Sequence, residues 1–354
     1  MAPEWNPIEL AVDKLGLLRF SAHDCVRDRL AHHDSCAHSV LEDVKSGGTL
    51  PLPATVDVLA FHPAAHMLAA YRTGSATRED VVGAPDLLKN ASSAIVDRLA
   101  AQRIAIIQDN GLLPRYETRG ARIVVDETFP SCAESLDEMF SLVKERLGAG
   151  WLEFISIIRV VTVVKVADLT NNMPYFSGSW STSFGAAHIT KPKDPAILAE
   201  TLTHEAAHTW LNLIEECQPL ADGAWDDNIW ISPWRGDPRP IGGIVHGVFV
   251  FSCVATVLTT YLNADPANES DESAIARRRA AYLVCQVEDG IAELRRTRCL
   301  QASGDWVCRT SEALLEFVAA RVGDVELAKA RDKVTERLQQ KLEQWQRDGT
   351  PWRG

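Results

Sequence analysis

The sequence is short of several features, and each shortage removes a class of protein. Its 36 Lys and Arg stand against 48 Asp and Glu, a formal net charge of -12. No stretch gathers the cations into a stripe, so duplex nucleic acid and anionic membrane are disfavoured as partners and a neutral or basic substrate fits better. No CxxC spacing occurs among the eight cysteines. Cys25, Cys36, Cys132, Cys217, Cys253, Cys285, Cys299 and Cys308 are scattered, which argues against a thiolate zinc site and a dense disulfide framework and leaves most of them as small buried hydrophobes. The opening stretch MAPEWNPIELAVDKLGLLRF lacks the unbroken apolar core of a signal peptide, and a cytoplasmic location is expected. What remains, 46% hydrophobic and 24% charged residues over 354 positions, is ordinary globular composition.

One long uncharged run is present, IGGIVHGVFVFSCVATVLTTYL from Ile241 to Leu262. It has the length of a bilayer span. Its paired glycines, hydroxyls and single histidine favour a buried central helix instead.

We read one catalytic unit over 1–354. A helical N-terminal lobe is expected over 1–115, with helical spacing in FHPAAHMLAAYR (61–72) and SAIVDRLAAQRIAII (93–107). An α+β subdomain follows over 116–217. Its β-branched segments ARIVVDE and EFISIIRVVTVVKVAD read as strands around the amphipathic helix AESLDEMFSLVKERL. GSWSTSFGAAHITKP (178–192) suits a strand at a sheet edge, where small side chains would let an extended peptide add by strand pairing. A helix should then start at Pro195 with Asp194 as its cap, burying Leu198, Leu202, Ala206 and Leu213. Over 218–354 a Trp-, Asp- and Pro-rich loop leads into a helical C-terminal lobe, whose last helix shows the narrow apolar stripe of a surface helix. The fold class is thus α+β and mainly helical, a small mixed sheet with an HExxH helix in a zincin-like core flanked by helical lobes.

The sharpest motif is His204-Glu205-Ala206-Ala207-His208. Residues four apart lie on one helix face, so both imidazoles can reach one metal ion while Glu205 projects nearby. A metzincin would need a histidine where Ile214 stands and a downstream methionine, and there is none. A thermolysin-like enzyme would use a downstream glutamate, yet none lies between Glu216 and Glu269. His246 is the remaining third-ligand candidate, a lone polar ring in an uncharged run. Three imidazoles leave positions open on iron or zinc, the condition for catalysis.

Together HEAAH and the later SPWRGDPRPIGGIVHGVFVF resemble the HExxH-motif proteins of ribosomal-peptide modification clusters, some of them fused to or encoded beside radical SAM maturases. The resemblance covers roughly residues 175 to 262, its specific part being His204, His208, Trp234, Arg235, Arg239, Pro240, His246 and Gly247. It implies a 2-oxoglutarate-dependent non-haem iron peptide β-hydroxylase acting on a ribosomally made precursor peptide, with a radical SAM maturase as a companion. Fe(II) would then be held by His204, His208 and His246. The far carboxylate of 2-oxoglutarate needs a fixed cation, for which Arg235 and Arg239 are the candidates. Their bland alternative is a surface salt bridge to Asp226, Asp227 or Asp237. Glu205 is the candidate catalytic residue. It would be the general base in a zinc peptidase, the second reading, and would orient an imidazole or the substrate in a hydroxylase. A non-enzymatic peptide-binding maturation partner is the third reading.

Overall fold

The computed structural model describes residues 8–12, 18–46, 95–99, 104–108, 123–125, 129–166, 176–224, 230–263 and 271–348. Among the described residues it has seven helices and a small mixed sheet, as the α+β, mainly helical expectation has it. The chain forms two compact units. One gathers Arg27–Glu145 and Leu152–Trp210, the other Met1–Val26, Arg146–Trp151 and Leu211–Gly354.

The first unit is built on the sheet. Strands β3 (Ile95–Leu99), β4 (Ile104–Gln108), β6 (Val160–Val166), β8 (Ala186–Thr190) and β7 (Ser177–Gly178) lie side by side in that order, and β5 (Ile123–Val125) also pairs with β6. The centre is parallel: β4 runs with β6, Ala105 opposite Val160, and β6 with β8, Val160 opposite Ala186. Antiparallel β3, β5 and β7 flank it. Val160, Val161, Val163 and Val164 are all buried, the near-continuous β-branched run expected of a strand covered on both faces. Among the described residues, helices α1 (Asp24–Ser46) and α2 (Phe129–Ile155) also precede β6. On α2, Leu136, Phe140 and Val143 recur at helical spacing and are buried. The helix is interrupted at Gly148, where φ is 71°, a conformation that glycine adopts without the Cβ penalty.

Two expectations fail in this unit. The helix read over 93–107 is instead the β3–β4 antiparallel pair. Short apolar runs fit either period, and here Ile104 and Ile106 are buried in a strand whose backbone is claimed by β6. The single edge strand read over 178–192 is two strands, β7 at the edge of the sheet and β8 next to it. Ser177 and Gly178 fold back to pair with Ile189 and His188, 181–183 form a 3-10 turn, and β8 is an interior strand buried from Ala186 to Ile189. Trp180 packs its ring 4.7 Å from that of His188. The segment 61–72 lies outside the described residues.

The second unit is helical. The hairpin β1 (Ile8–Val12) and β2 (Leu18–Ala22) belongs to it, as do α4 (Ile241–Asn263), α5 (Asp271–Thr297), α6 (Ala302–Val322) and α7 (Asp324–Asp348). Helix α4 packs on both α5 and α6, and α7 packs on α5. The apolar segment Ile241–Leu262 is 89% buried within the protein, the central helix anticipated. Its hydroxyls are satisfied locally: Thr256, Thr259 and Thr260 each donate to the carbonyl four residues back. Only four cysteines are buried: Cys132, Cys253, Cys285 and Cys308. Of the others, Cys25 lies in the first turn of α1, Cys217 is the last residue of its helix and Cys299 follows α5, while Cys36 lies mid-way along α1 on a partly exposed side.

Candidate functional site

The motif helix α3 (Pro195–Cys217) begins where the sequence places it. The Ile197 backbone N–H donates to Asp194 Oδ1 at 2.9 Å, and Pro195 occupies the first turn, where a missing N–H costs nothing. Leu198, Leu202, Ala206 and Leu213 are buried as anticipated. The Trp210 indole donates to the Phe154 carbonyl at 2.7 Å, anchoring the helix within the sheet unit.

His204 and His208 stand on the opposite, half-buried side of this helix, one turn apart. Their ring centroids are 4.9 Å apart at 69°. Two imidazoles binding one ion at about 2.0–2.1 Å per nitrogen, at a tetrahedral or octahedral angle, have centroids about 5 Å apart. The pair therefore fits a shared metal. Glu205 follows His204 by one residue and so turns about 100° round the helix, into the interior. It is only 1% exposed, and its Oε2 has no hydrogen-bond partner among the described residues. A buried carboxylate oxygen left in that state is costly, the kind of group a nearby cation or substrate donor would satisfy.

In the helical unit, His246 lies near the start of α4 with its side chain 7% exposed. Its Nε2–H donates to Glu215 Oε2 at 3.2 Å. Glu215 belongs to α3, seven residues after His208. A carboxylate holding one ring nitrogen leaves the lone pair on the other, the arrangement that prepares an imidazole for a metal. Sequence reasoning missed Glu215. Its spacing from His208 was the available signal.

The segment before α4 is a short hairpin of β9 (Trp230–Ile231) and β10 (Pro238–Arg239). It is held by Trp234, whose ring stacks on Phe251 at 5.2 Å and lies so close to Gly247 that any Cβ there would overlap it. Gly290 of α5 gives the same ring room on its other side. Gln286 adds a hydrogen bond from its amide to the Pro233 carbonyl at 2.6 Å. Two residues that carry the family resemblance, Trp234 and Gly247, are thus a packed pair that fixes the hairpin.

The two arginines differ. Arg235 is exposed at the hairpin turn, its backbone N–H donating to Ser232 Oγ at 3.3 Å. Arg239 lays its side-chain stem over Gly243, which is three residues before His246 and therefore on the same face of α4. Its guanidinium grips the Asp237 carboxylate with two donors, Nε to Oδ1 at 3.4 Å and Nη2 to Oδ2 at 3.1 Å. That is one of the salt bridges foreseen for a loop arginine.

The structure thus brings His204 and His208 together, and His246 together with Glu215, while Arg239 covers Gly243, one turn before His246 on α4. Among the described residues no three His, Cys, Asp or Glu side chains form a group that could hold a metal. No protein-family model matches the chain, and no curated protein matches it either.

Proposed function

We propose that the protein is an Fe(II)- and 2-oxoglutarate-dependent dioxygenase that hydroxylates a side-chain β-carbon in a ribosomally made precursor peptide. The observation that carries the proposal is the spacing of the His204 and His208 rings, 4.9 Å between centroids on one face of α3. In this reading His204, His208 and His246 hold the metal, and Glu215 fixes the orientation of His246. The bound iron, with 2-oxoglutarate and dioxygen, supplies the oxidation of an unactivated C–H bond and releases succinate and carbon dioxide. Arg239 is the better candidate for the far carboxylate of the cosubstrate. It already accommodates a carboxylate in its fork, and the Asp237 pair is open enough to solvent, at 35% and 43% exposure, to contribute under about 1 kcal/mol and exchange readily. Arg235, exposed at the turn, is the alternative. Glu205 would orient the substrate or an imidazole from within.

A zinc peptidase is the second reading, favoured by one observation. The buried Oε2 of Glu205 has no hydrogen-bond partner among the described residues, and in a peptidase this carboxylate would serve as the general base.

The deciding experiment is anaerobic loading with Fe(II), titration with 2-oxoglutarate while watching the metal-to-ligand charge-transfer band, then admission of oxygen and assay for succinate. The hydroxylase reading expects a saturable band and succinate. Replacing Arg239 with Leu should cost about 2–5 kcal/mol of cosubstrate binding, and His246→Ala should lower metal occupancy with the fold intact. Zinc-dependent peptide cleavage with no succinate would establish the peptidase instead. Failure to bind either metal would leave only a peptide-binding partner.

A further inference from the structure

The sequence shows no stripe of Lys and Arg, yet two helices of the helical unit gather cations into one groove. Arg278 and Arg279 of α5 face Lys329 and Lys333 of α7 across a surface groove of about 340 Å³, with Ile275 and Tyr282 as its apolar lining. Glu326 is the one acidic residue in the lining. It accepts a hydrogen bond from Lys329 at 2.8 Å, which holds its carboxyl below the usual carboxylate range. Ile275 is 58% exposed, one of the few large apolar side chains on the described surface. Tyr282 is steadied by Arg337, whose guanidinium donates to its hydroxyl at 3.3 Å.

We propose that this groove docks an extended acidic peptide segment that alternates carboxylates with an apolar side chain. The occupant follows from three features. The lining carries four cations and one carboxylate, the latter bonded to Lys329, so in a chain of net charge -12 the groove keeps a local excess of positive charge complementary to an anion. Lys329 and Lys333 are one helical turn apart, about 5–6 Å between Cβ atoms, close to the roughly 6.5–7 Å between alternate side chains of an extended peptide. Exposed Ile275 and the Tyr282 ring offer apolar contact that inorganic phosphate would not cover. This inference does not depend on the metal reading, because the groove is lined by α5 and α7 alone.

The test uses the full chain and a fluorescein-labelled Glu-Leu-Glu-Leu-Glu peptide, followed by fluorescence anisotropy. Binding should be saturable, weaken with salt, and fall about tenfold or more in Lys329→Glu/Lys333→Glu. Ile275→Asp should weaken it by a smaller factor. Circular dichroism checks each fold, and Lys329→Gln/Lys333→Gln replaces the charge reversal if that variant does not fold. Absence of binding by the parent protein overturns the proposal, as does affinity unchanged by the paired lysine substitutions. Displacement of the peptide by inorganic phosphate, or by a single-stranded oligonucleotide at lower concentration than unlabelled peptide, also overturns it by assigning the groove to another ligand.

Discussion

Helices α3 and α4 are each 23 residues long, each starts beside a proline, and each carries histidine, yet they solve opposite problems. Helix α3 is sided. It buries Leu198, Leu202 and Ala206 and leaves His204 and His208 half-buried on the other side, where two rings can converge on a third body. Helix α4 is enclosed on nearly all sides, so every polar group on it needs a partner inside the protein. Its threonines bond back to their own helix, and its histidine takes a carboxylate from α3. The same residue type is therefore half-buried beside a second ring on one helix and buried against a carboxylate on the other. The contrast separates what holds the protein together from what it offers to chemistry.

The sharpest way to break this contrast is at the enclosed helix. Gly247→Val places a branched side chain where the Trp234 ring lies, and neither the ring nor α4 can move without losing the stack on Phe251. A loss of about 3 kcal/mol or more in urea denaturation is expected, similar to the roughly 3–5 kcal/mol for Trp234→Ala. A loss under about 1 kcal/mol for Gly247→Val would mean that the hairpin is not pinned by this contact.

An intermediate effect is expected where the two helices meet through side chains. Glu215→Ala leaves a His246 side chain that is only 7% exposed without its acceptor, at a cost of about 1–3 kcal/mol. Glu215→Gln keeps a carbonyl oxygen in place and should cost less. Equal and negligible effects of both substitutions on the denaturation midpoint would show that the contact does not hold His246. If Glu215 prepares His246 for a metal, the alanine variant should also lose metal occupancy, which a purely stabilising contact would not produce.

The smallest effect belongs to the sided helix, at its cap. Asp194→Ala removes the acceptor for the Ile197 N–H and should cost about 1 kcal/mol, while Asp194→Asn should be nearly neutral. Thermal unfolding of the two variants separates them. A deficit in the asparagine variant as large as in the alanine variant would argue that charge, and not the hydrogen bond, matters at this helix end.

Much of this organisation is legible in the sequence for a local reason. The cap and proline at Asp194 and Pro195, the apolar side of α3, the i, i+4 pairing of the motif histidines and the apolar run of α4 are properties of neighbouring residues, and periodicity carries them. The same local rules misread 93–107, because the apolar run Ile104–Ile107 is too short to fix a period until β6 supplies backbone partners. They also misread 178–192 as one strand, because the chain turns within it and Ser177 and Gly178 pair back onto β8 as the edge of the sheet.

By itself, then, the sequence determined the HExxH helix, its start, its two-ring face and the enclosed character of α4, since each follows from spacing along one element. Only tertiary structure decided that Glu215 meets His246, that Arg239 rather than Arg235 covers the first turn of α4, and that Trp234 needs Gly247 and Gly290. It likewise decided that the scattered cations of α5 and α7 share a groove. These are contacts between residues distant along the chain. They depend on how helices pack, and no period within one helix encodes its neighbour.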